Sequence, residues 1–320
     1  MPSSINRSPE AIATQSVTGR PHFGLVVDNM DWHARELSRA LTALGATSTP
    51  IRLTDCGFAT SSATGLMIDQ LGAHLPDAIL VRSMSGGSFE AVTLRLGILH
   101  AARELGVMVW NDARAIERCV DKSMTSFLLA RAGIATPPTW VVEARKAAAA
   151  LVKREAIDRP LVLKPLFGSQ GRGLRLIRTP DDLPEPAVVN GVYYLQRFVG
   201  VEQDGFRDFR LLVSGGRVIA VMARHSSGWI TNVKRGAQPV AVVATEEIRD
   251  LALRATVAVG AAFAGVDVVY DVEGRPTVLE VNSMPAWSGL QKVTPFNIAA
   301  ALAGDAIAAL GGRRTQGGSS

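Results

Sequence analysis

The chain has 320 residues, 47% hydrophobic and 20% charged, with a formal net charge of +5, enough apolar chain for two or three domains with ample cores. No apolar run reaches the ~18–20 residues of a membrane span, and the opening MPSSINRSPEAIATQS lacks the apolar stretch of a secretory signal. The basic excess is neither a block nor interleaved with aromatics, which make up only 6%, so the balance argues against nucleic acid and suits an acidic small partner.

Residues 1–20 and 312–320 read as disordered tails, and residues 21–115 as one alternating strand–helix unit. His22–Asp28 is an apolar run and reads as a buried strand. Trp32–Leu44 has helical amphipathicity and stops at Gly45. Thr49–Leu53 and Ala78–Val81 read as strands, Phe89–Leu105 as a helix ended by Gly106, and Val107–Trp110 as a strand. Such alternation predicts a parallel, doubly wound sheet, with ligands beyond the carboxyl ends of its strands. Asp28, Arg82 and Asn111 fall at such ends, where turn or cap roles serve equally well. Arg82 is the best of the three for gripping an acidic group.

A second unit, 116–190, carries a helix Lys122–Ala132 with Asp121 as its cap, then Pro137–Pro138, a strand Thr139–Val142 and a helix Ala144–Glu155. It ends on LVLKPLFGSQGRGLRLI, residues 161–177. This reads as strand, glycine loop, strand. Gly168, Ser169, Gln170, Gly171 and Gly173 form a loop whose N–H groups can lie against phosphate oxygens, with Lys164 as a point charge beside it. Taken alone, the stretch serves equally well as a plain hairpin with a surface lysine. It is neither a Walker A loop nor a dinucleotide fingerprint, since a strand and not a helix follows.

The third unit, 191–311, starts with strands Val192–Phe198, Phe209–Val213 and Val218–Ala223, and Thr245 caps a helix running to about Ala264. It then reaches VDVVYDVEGRPTVLEVNSMP. Val266–Asp271 and Pro276–Val281 read as strands turning at Glu273–Gly274. Centring the turn there sets Asp267 against Glu280. Glu280 and Asn282 share a strand face. Like charges face to face destabilise a sheet, and a cation reverses that. The all-oxygen set Asp267, Glu280 and Asn282 suits Mg2+ or Mn2+ beside a phosphate. The five histidines show no ligand spacing, no H-E-x-x-H or G-x-S-x-G occurs, and Cys56 and Cys119 stand in no motif, which fits a reducing cytoplasm.

Taken in order, these pieces resemble the RimK-like amino-acid ligases of the ATP-grasp superfamily, over roughly Arg82 to Leu302. The segments carrying the resemblance are NDARAIERCVDKSMTSFLLARAGIATPPT, LVLKPLFGSQGRGL, YYLQRFV, DFRLLV, ARHSSGWITNVKRGA and EVNSMPAWSGLQKVTP. The resemblance implies an α/β chain with an ATP-grasp fold, α+β in its C-terminal part, behind an N-terminal doubly wound domain that binds the acceptor. It implies that Lys122 and Lys164 contact nucleotide phosphates under a glycine lid, Gly168–Gly173. Gln196, Arg197, Phe198 and Val199 would receive adenine, Asp208 would sit near the ribose, and Asp267, Glu280 and Asn282 would hold magnesium. Arg210, Arg224, Asn232 and Arg235 would line the acyl-phosphate and amino-acid site. The chain departs from the family's pattern at Arg197, where glutamate is usual, at Ile230, where the ribosomal-protein-modifying member has arginine, and at Ala286, where glycine is common.

The resemblance further implies an ATP-dependent ligase that makes an acyl phosphate and couples it to an amino acid, L-glutamate first, on a small acidic acceptor of pterin or furan type. Glutamylation of a protein tail and a non-catalytic ATP sensor are the alternatives. Homo-oligomers are expected by analogy alone.

Overall fold

The computed structural model describes residues 19–72, 74–168, 171–201 and 205–317, the last four as backbone. The chain divides into two compact units, one up to Ala113 joined by the residues from Ala303 onward, and the other Arg114–Leu302. Residues 1–18 of the expected N-terminal tail lie outside the described residues. At the other end, the last helix of the chain runs from Ile298 to Gly317, past residue 312, where the sequence suggests a tail. Its alanine-rich sequence favours helix, and Asn297 caps it, its side chain accepting from Ala300 N at 3.0 Å. The residues from Ala303 also cluster with the N-terminal unit and not with the expected 191–311 unit.

In the first unit, β1 (His22–Val26), α1 (Trp32–Ala43), β2 (Thr47–Ile51), β3 (Cys56–Phe58), β4 (Leu66–Ile68), β5 (Ala78–Val81), α2 (Phe89–Glu104) and β6 (Met108–Trp110) follow in order. β2-β1-β5-β6 form a parallel sheet, as the alternation predicts. Asp31 caps α1, accepting from Ala34 N at 2.8 Å, and Gly45 leaves it at φ 81°. The small β3–β4 hairpin is an addition the sequence reading lacks. Strands of three residues carry too few alternations to show a period.

The second unit holds two antiparallel sheets. After α3 (Ala113–Val120) and α4 (Lys122–Arg131) come β7 (Thr139–Val142), α5 (Arg145–Glu155), β8 (Leu161–Lys164), β9 (Arg175–Ile177) and β10 (Tyr193–Arg197). Their sheet runs β7-β10-β8-β9. β10 therefore belongs with the lysine strand, and the expected boundary at 190/191 moves beyond Arg197. The reason is pairing: β10 lies between β7 and β8 and supplies the middle of that sheet. Leu161, Leu163, Tyr193 and Leu195 turn one face to Ala148, Leu151 and Val152 of α5.

The larger sheet runs β13-β12-β11-β14-β15, from β11 (Phe206–Ser214), β12 (Arg217–Ser226), β13 (Gln238–Ala241), α6 (Glu246–Val259), β14 (Phe263–Tyr270) and β15 (Pro276–Asn282). The chain closes with α7 (Ser288–Lys292) and α8 (Ile298–Gly317). Leu211, Val213, Val266, Val268, Val278 and Val281 pack with Ile248, Leu251, Ala252, Ala255 and Val259 of α6. Thr245 caps α6 from Ile248 N at 3.4 Å, and Gly260 ends it at φ 76°. Among the described residues no helix is long and apolar enough to cross a membrane.

Candidate active site

Strand alternation sends the apolar residues of the large sheet to α6 and leaves the opposite face polar. On β11, Leu211 and Val213 turn to one side, and Asp208 and Arg210 point to the other. On β14, Asp267 lies between Val266 and Val268. Register then gathers these residues: Arg210 pairs with Asp267, Asp208 with Arg224, and Asp267 with Glu280.

The Asp267–Glu280 pairing is the expected one, reached by a different route. Near the turn, Tyr270 faces Pro276 and Val268 faces Val278, one residue out of step with the predicted register. A bulge at Leu279 restores the step, so that Glu280 meets Asp267 and Asn282 meets Gly265. The turn itself spans 271–275, with Asp271 N donating to Arg275 O at 3.0 Å.

Four charged side chains interlock on this face. Arg210 makes a two-point contact with Asp267, Nε to Oδ1 at 2.7 Å and Nη2 to Oδ2 at 2.6 Å. Arg224 reaches Asp267 Oδ2 at 2.9 Å. It also grips Asp208 through Nε to Oδ1 at 2.7 Å and through Nη2 to Oδ2. Thr231 Oγ1 donates to Asp208 Oδ2 at 2.6 Å. Burial alone would raise the Asp267 pKa, but Arg210 and Arg224 outweigh it and hold the carboxyl well below the usual carboxylate range. Glu280 is looser: its side chain is 32% exposed, and it accepts from Asn282 Nδ2 at 3.0 Å.

The small sheet supplies the other wall of a cavity lined by Lys122, Val162, Lys164, Gly168, Gly171, Gln196, Phe198, Val199, Asp208, Arg224, Trp229, Asn232, Asp267 and Glu280, among others. Lys164 lies opposite Tyr194 in register, and its Nζ donates to Gln196 Oε1 at 2.6 Å. Gln196 in turn donates to Thr139 Oγ1 and Tyr194 Oη, both at 3.1 Å, and that hydroxyl pairs with Ser126 Oγ at 2.7 Å. Lys122, first residue of α4 behind the Asp121 cap, donates to Leu166 O at 3.2 Å and Gly168 O at 2.8 Å. Burial lowers the pKa of both lysines, against the opposing pull of Glu280.

The glycine loop lies over the cavity. At Gly171, φ is +67°, and a Cβ there would stand 2.5 Å from Asn232 Oδ1 and 2.8 Å from Ile230 Cγ2. Only glycine allows that approach. Ile230, one of the family departures, is thus a contact of the loop. Ser169 and Gln170 lie outside the described residues. Phe198 sits edge-on to Trp229 at 6.0 Å and to Phe206 at 6.3 Å. Trp229 and Phe206 were not singled out from the sequence, although a tryptophan within the largely polar run Ser226–Asn232 marks a loop with an apolar task.

Asp208, expected beside the ribose, lines the cavity, and its two oxygens accept from Arg224 and Thr231. Arg224 lines the cavity, with its Nε and Nη2 engaged by Asp208 and Asp267. Arg235 is exposed on the turn Val233–Arg235, where its N–H donates to Asn232 O at 2.8 Å. Arg197 shares the face of Tyr193 and Leu195, away from Gln196. Its Nη2 pairs with Glu155 Oε2 at 2.7 Å and its guanidinium lies 5.6 Å from the Trp140 ring. Arg82 belongs to the other unit, where it is buried, with Nη2 3.8 Å from Asp31 Oδ2.

A glycine hairpin with a half-buried lysine on one sheet, a second lysine at the start of a helix beside it, and a carboxylate strand pair on the next sheet is the arrangement of an ATP-grasp enzyme. Residues 119–306 match the RimK-like ATP-grasp domain, more than half of the chain, and the chain belongs to that family. It is 37% identical over 208 residues to a tetrahydromethanopterin:alpha-L-glutamate ligase of Methanococcus maripaludis, across 63% of this chain and 70% of that protein. A ligase of the same description from Methanosarcina acetivorans is 30% identical over 303 residues, across 83% of this chain and 92% of that protein. The solved structure of the ATP-grasp ligase PsnB complexed with minimal precursor, Mg and ADP shares the fold, with a TM-score of 0.68 at 19% identity over 90% of this chain and 98% of that one. The protein is an ATP-grasp ligase, an enzyme of the ATP-dependent, amino-acid-joining kind.

The donor set fits the dication that such chemistry uses. Asp267 and Glu280 line the cavity, and Asn282 is joined to them through Glu280. Among the described residues no three His, Cys, Asp or Glu side chains form a metal group. The third donor here is an amide oxygen, and hard oxygen donors suit magnesium.

Proposed function

We propose that the protein joins L-glutamate to a small acidic acceptor of pterin or furan type, using Mg-ATP and passing through an acyl phosphate on the acceptor carboxylate. The observation that carries the reading is the cavity itself, where Lys122, Lys164 and Arg224 meet Asp267 and Glu280 under a glycine loop. The amino acid and acceptor class rest on likeness to the two glutamate ligases.

A carboxylate and an amine condense only after activation, and phosphoryl transfer asks for positioning and charge neutralisation more than for covalent help. Asp267, Glu280 and Asn282 would hold magnesium, which would supply Lewis-acid neutralisation of phosphate charge. Lys164, fixed by Gln196, and Lys122, fixed by the loop carbonyls, add positive charge that needs no rearrangement at the moment of reaction. The loop against Ile230 and Asn232 excludes water, which would otherwise hydrolyse the acyl phosphate. Phe198, Trp229 and Val162 give the base an apolar seat next to the β10 backbone. Arg210 and Asn232 would face the acceptor carboxylate.

The test is phosphate release from Mg-ATP with L-glutamate and pooled acidic metabolites, followed by mass spectrometry. A small compound heavier by one or more glutamyl units, with ADP and phosphate formed, supports the reading. Turnover only with a protein acceptor refutes the small-acceptor half, and nucleotide binding without turnover in any pool refutes the whole.

A further inference from the structure

Arg210 is placed unlike the other cations of the cavity. It holds both oxygens of Asp267, at 2.7 and 2.6 Å, and the same Nη2 lies 3.8 Å from Glu280 Oε1. It therefore spans the two carboxylates on which a dication would sit. Arg224 also touches Asp267, but it is anchored a second time by Asp208 and its side chain is only 4% exposed. The Arg210 side chain is 12% exposed. Gly265 lies next to it: an ideal Cβ there would stand 3.8 Å from Arg210 Nε and 2.7 Å from Pro285 Cβ, so the proline ring fills the place of a side chain beside the arginine.

Two carboxylates facing each other across a sheet repel, and a buried charge needs a partner. Arg210 meets that need with a guanidinium. A metal ion would need the same lone pairs, so guanidinium and metal compete. A guanidinium that loses Asp267 is left desolvated beside the cavity and is satisfied best by another anion. We propose that Arg210 is an internal stand-in for the metal: it closes the Asp267–Glu280 pair until a dication displaces it, and then serves as a positioning residue for the anionic group of the acceptor. This rests on the metal-dependent reading above and adds an order of events to it. Metal binding frees the arginine, and an anion that takes the freed arginine tightens the metal, by the reciprocity of linked equilibria.

The test measures Mn2+ affinity of the full chain without nucleotide, by electron paramagnetic resonance of free Mn2+, with circular dichroism as a check on folding. Arg210→Gln removes the competitor and should tighten Mn2+ by roughly tenfold or more. Arg210→Lys keeps the charge but loses the two-point grip, and should tighten it by a smaller factor. Arg207→Gln removes a charge lining the same cavity, where Arg207 lies 5.2 Å from the Phe209 ring, and should leave the affinity within about twofold. Unchanged or weaker Mn2+ binding in Arg210→Gln overturns the proposal. If that variant does not fold, Arg210→Lys decides, and no tightening there overturns it equally. Glu280→Gln separates the two levels. Wild-type Mn2+ binding that disappears with Glu280→Gln, without tightening in the Arg210 variants, sinks the stand-in alone. Mn2+ binding that survives Glu280→Gln, or is absent from the wild type, sinks the metal site and the stand-in with it.

Discussion

Asp267 and Glu280 face each other in the β14–β15 pair, yet neutralising them should have unequal effects on stability. Asp267 is 3% exposed and meets two arginines in three contacts of 2.6 to 2.9 Å. Breaking a buried ion pair by removing one partner costs about 3–5 kcal/mol. Asp267→Asn keeps one acceptor oxygen, and Asp208 still neutralises Arg224, so about 3 kcal/mol is expected. For a unit of this size each kcal/mol is worth about 2–4 °C, which places the melting temperature about 6–12 °C lower. Glu280 is one-third exposed, lies 3.8 Å from Arg210, and accepts from Asn282 at 3.0 Å. Glu280→Gln preserves that acceptor and should cost less than about 1 kcal/mol. Both variants should lose ATP turnover, since each removes charge from the metal set. Thermal and urea unfolding, run beside phosphate release, separate the two effects. An Asp267→Asn protein melting within about 2 °C of wild type would refute the reasoning, as would equal losses in both variants.

Lys164→Ala should weaken ADP binding by about an order of magnitude or more, because a fixed cation beside the phosphates is lost; calorimetric titration checks this, and unchanged affinity would leave the glycine hairpin without a phosphate role. Gly171→Ala should cut turnover sharply with little change in melting temperature, since the added methyl meets Asn232 Oδ1 at 2.5 Å in a backbone conformation of φ +67°; normal turnover would mean that the loop need not approach Asn232. Arg197→Glu, the residue usual in the family, should lower the melting temperature by setting two carboxylates together at Glu155, yet leave ADP affinity unchanged; a loss of affinity would place the side chain on the base. Burial pushes the Cys119 thiol up to about 12 and the Cys56 thiol up to about 11, so neither should react with iodoacetamide at pH 8 until the chain is unfolded. Rapid labelling of the native protein, read by mass spectrometry, would contradict that.

What the sequence made legible follows from period and punctuation. Strand–helix alternation in the first unit, glycine stops at Gly45 and Gly106, and caps at Asp121 and Thr245 are local signals, and each lies where expected; the helix after Thr245, expected to run to about Ala264, stops instead at Gly260, where the left-handed φ of 76° ends it before β14 begins at Phe263. The alternation of valines with Asp267 and Glu280 also disclosed which residues share a face. What stayed hidden depends on pairing between distant strands. The place of β10 in the centre of the small sheet, and the Asp208–Arg224–Asp267–Arg210 chain of charges, arise from partners 16 to 57 positions apart. Sequence spacing says nothing about such partners, so the hold of Arg224 and Thr231 on the Asp208 oxygens could not be read from it. The family resemblance located the residues of the site, but not which of them hold each other.

The bulge at Leu279 governs the phase of β15. Val278 and Val281 are three positions apart and both reach the α6 layer, which an uninterrupted strand would forbid. Deleting Leu279 would therefore act like a frameshift in space, rotating either Glu280 and Asn282 into the valine layer or Val278 out of it. The 271–275 turn stands on the other side of that slip. Substitutions at the tip that keep its length should therefore leave the Asp267–Glu280 pairing in place.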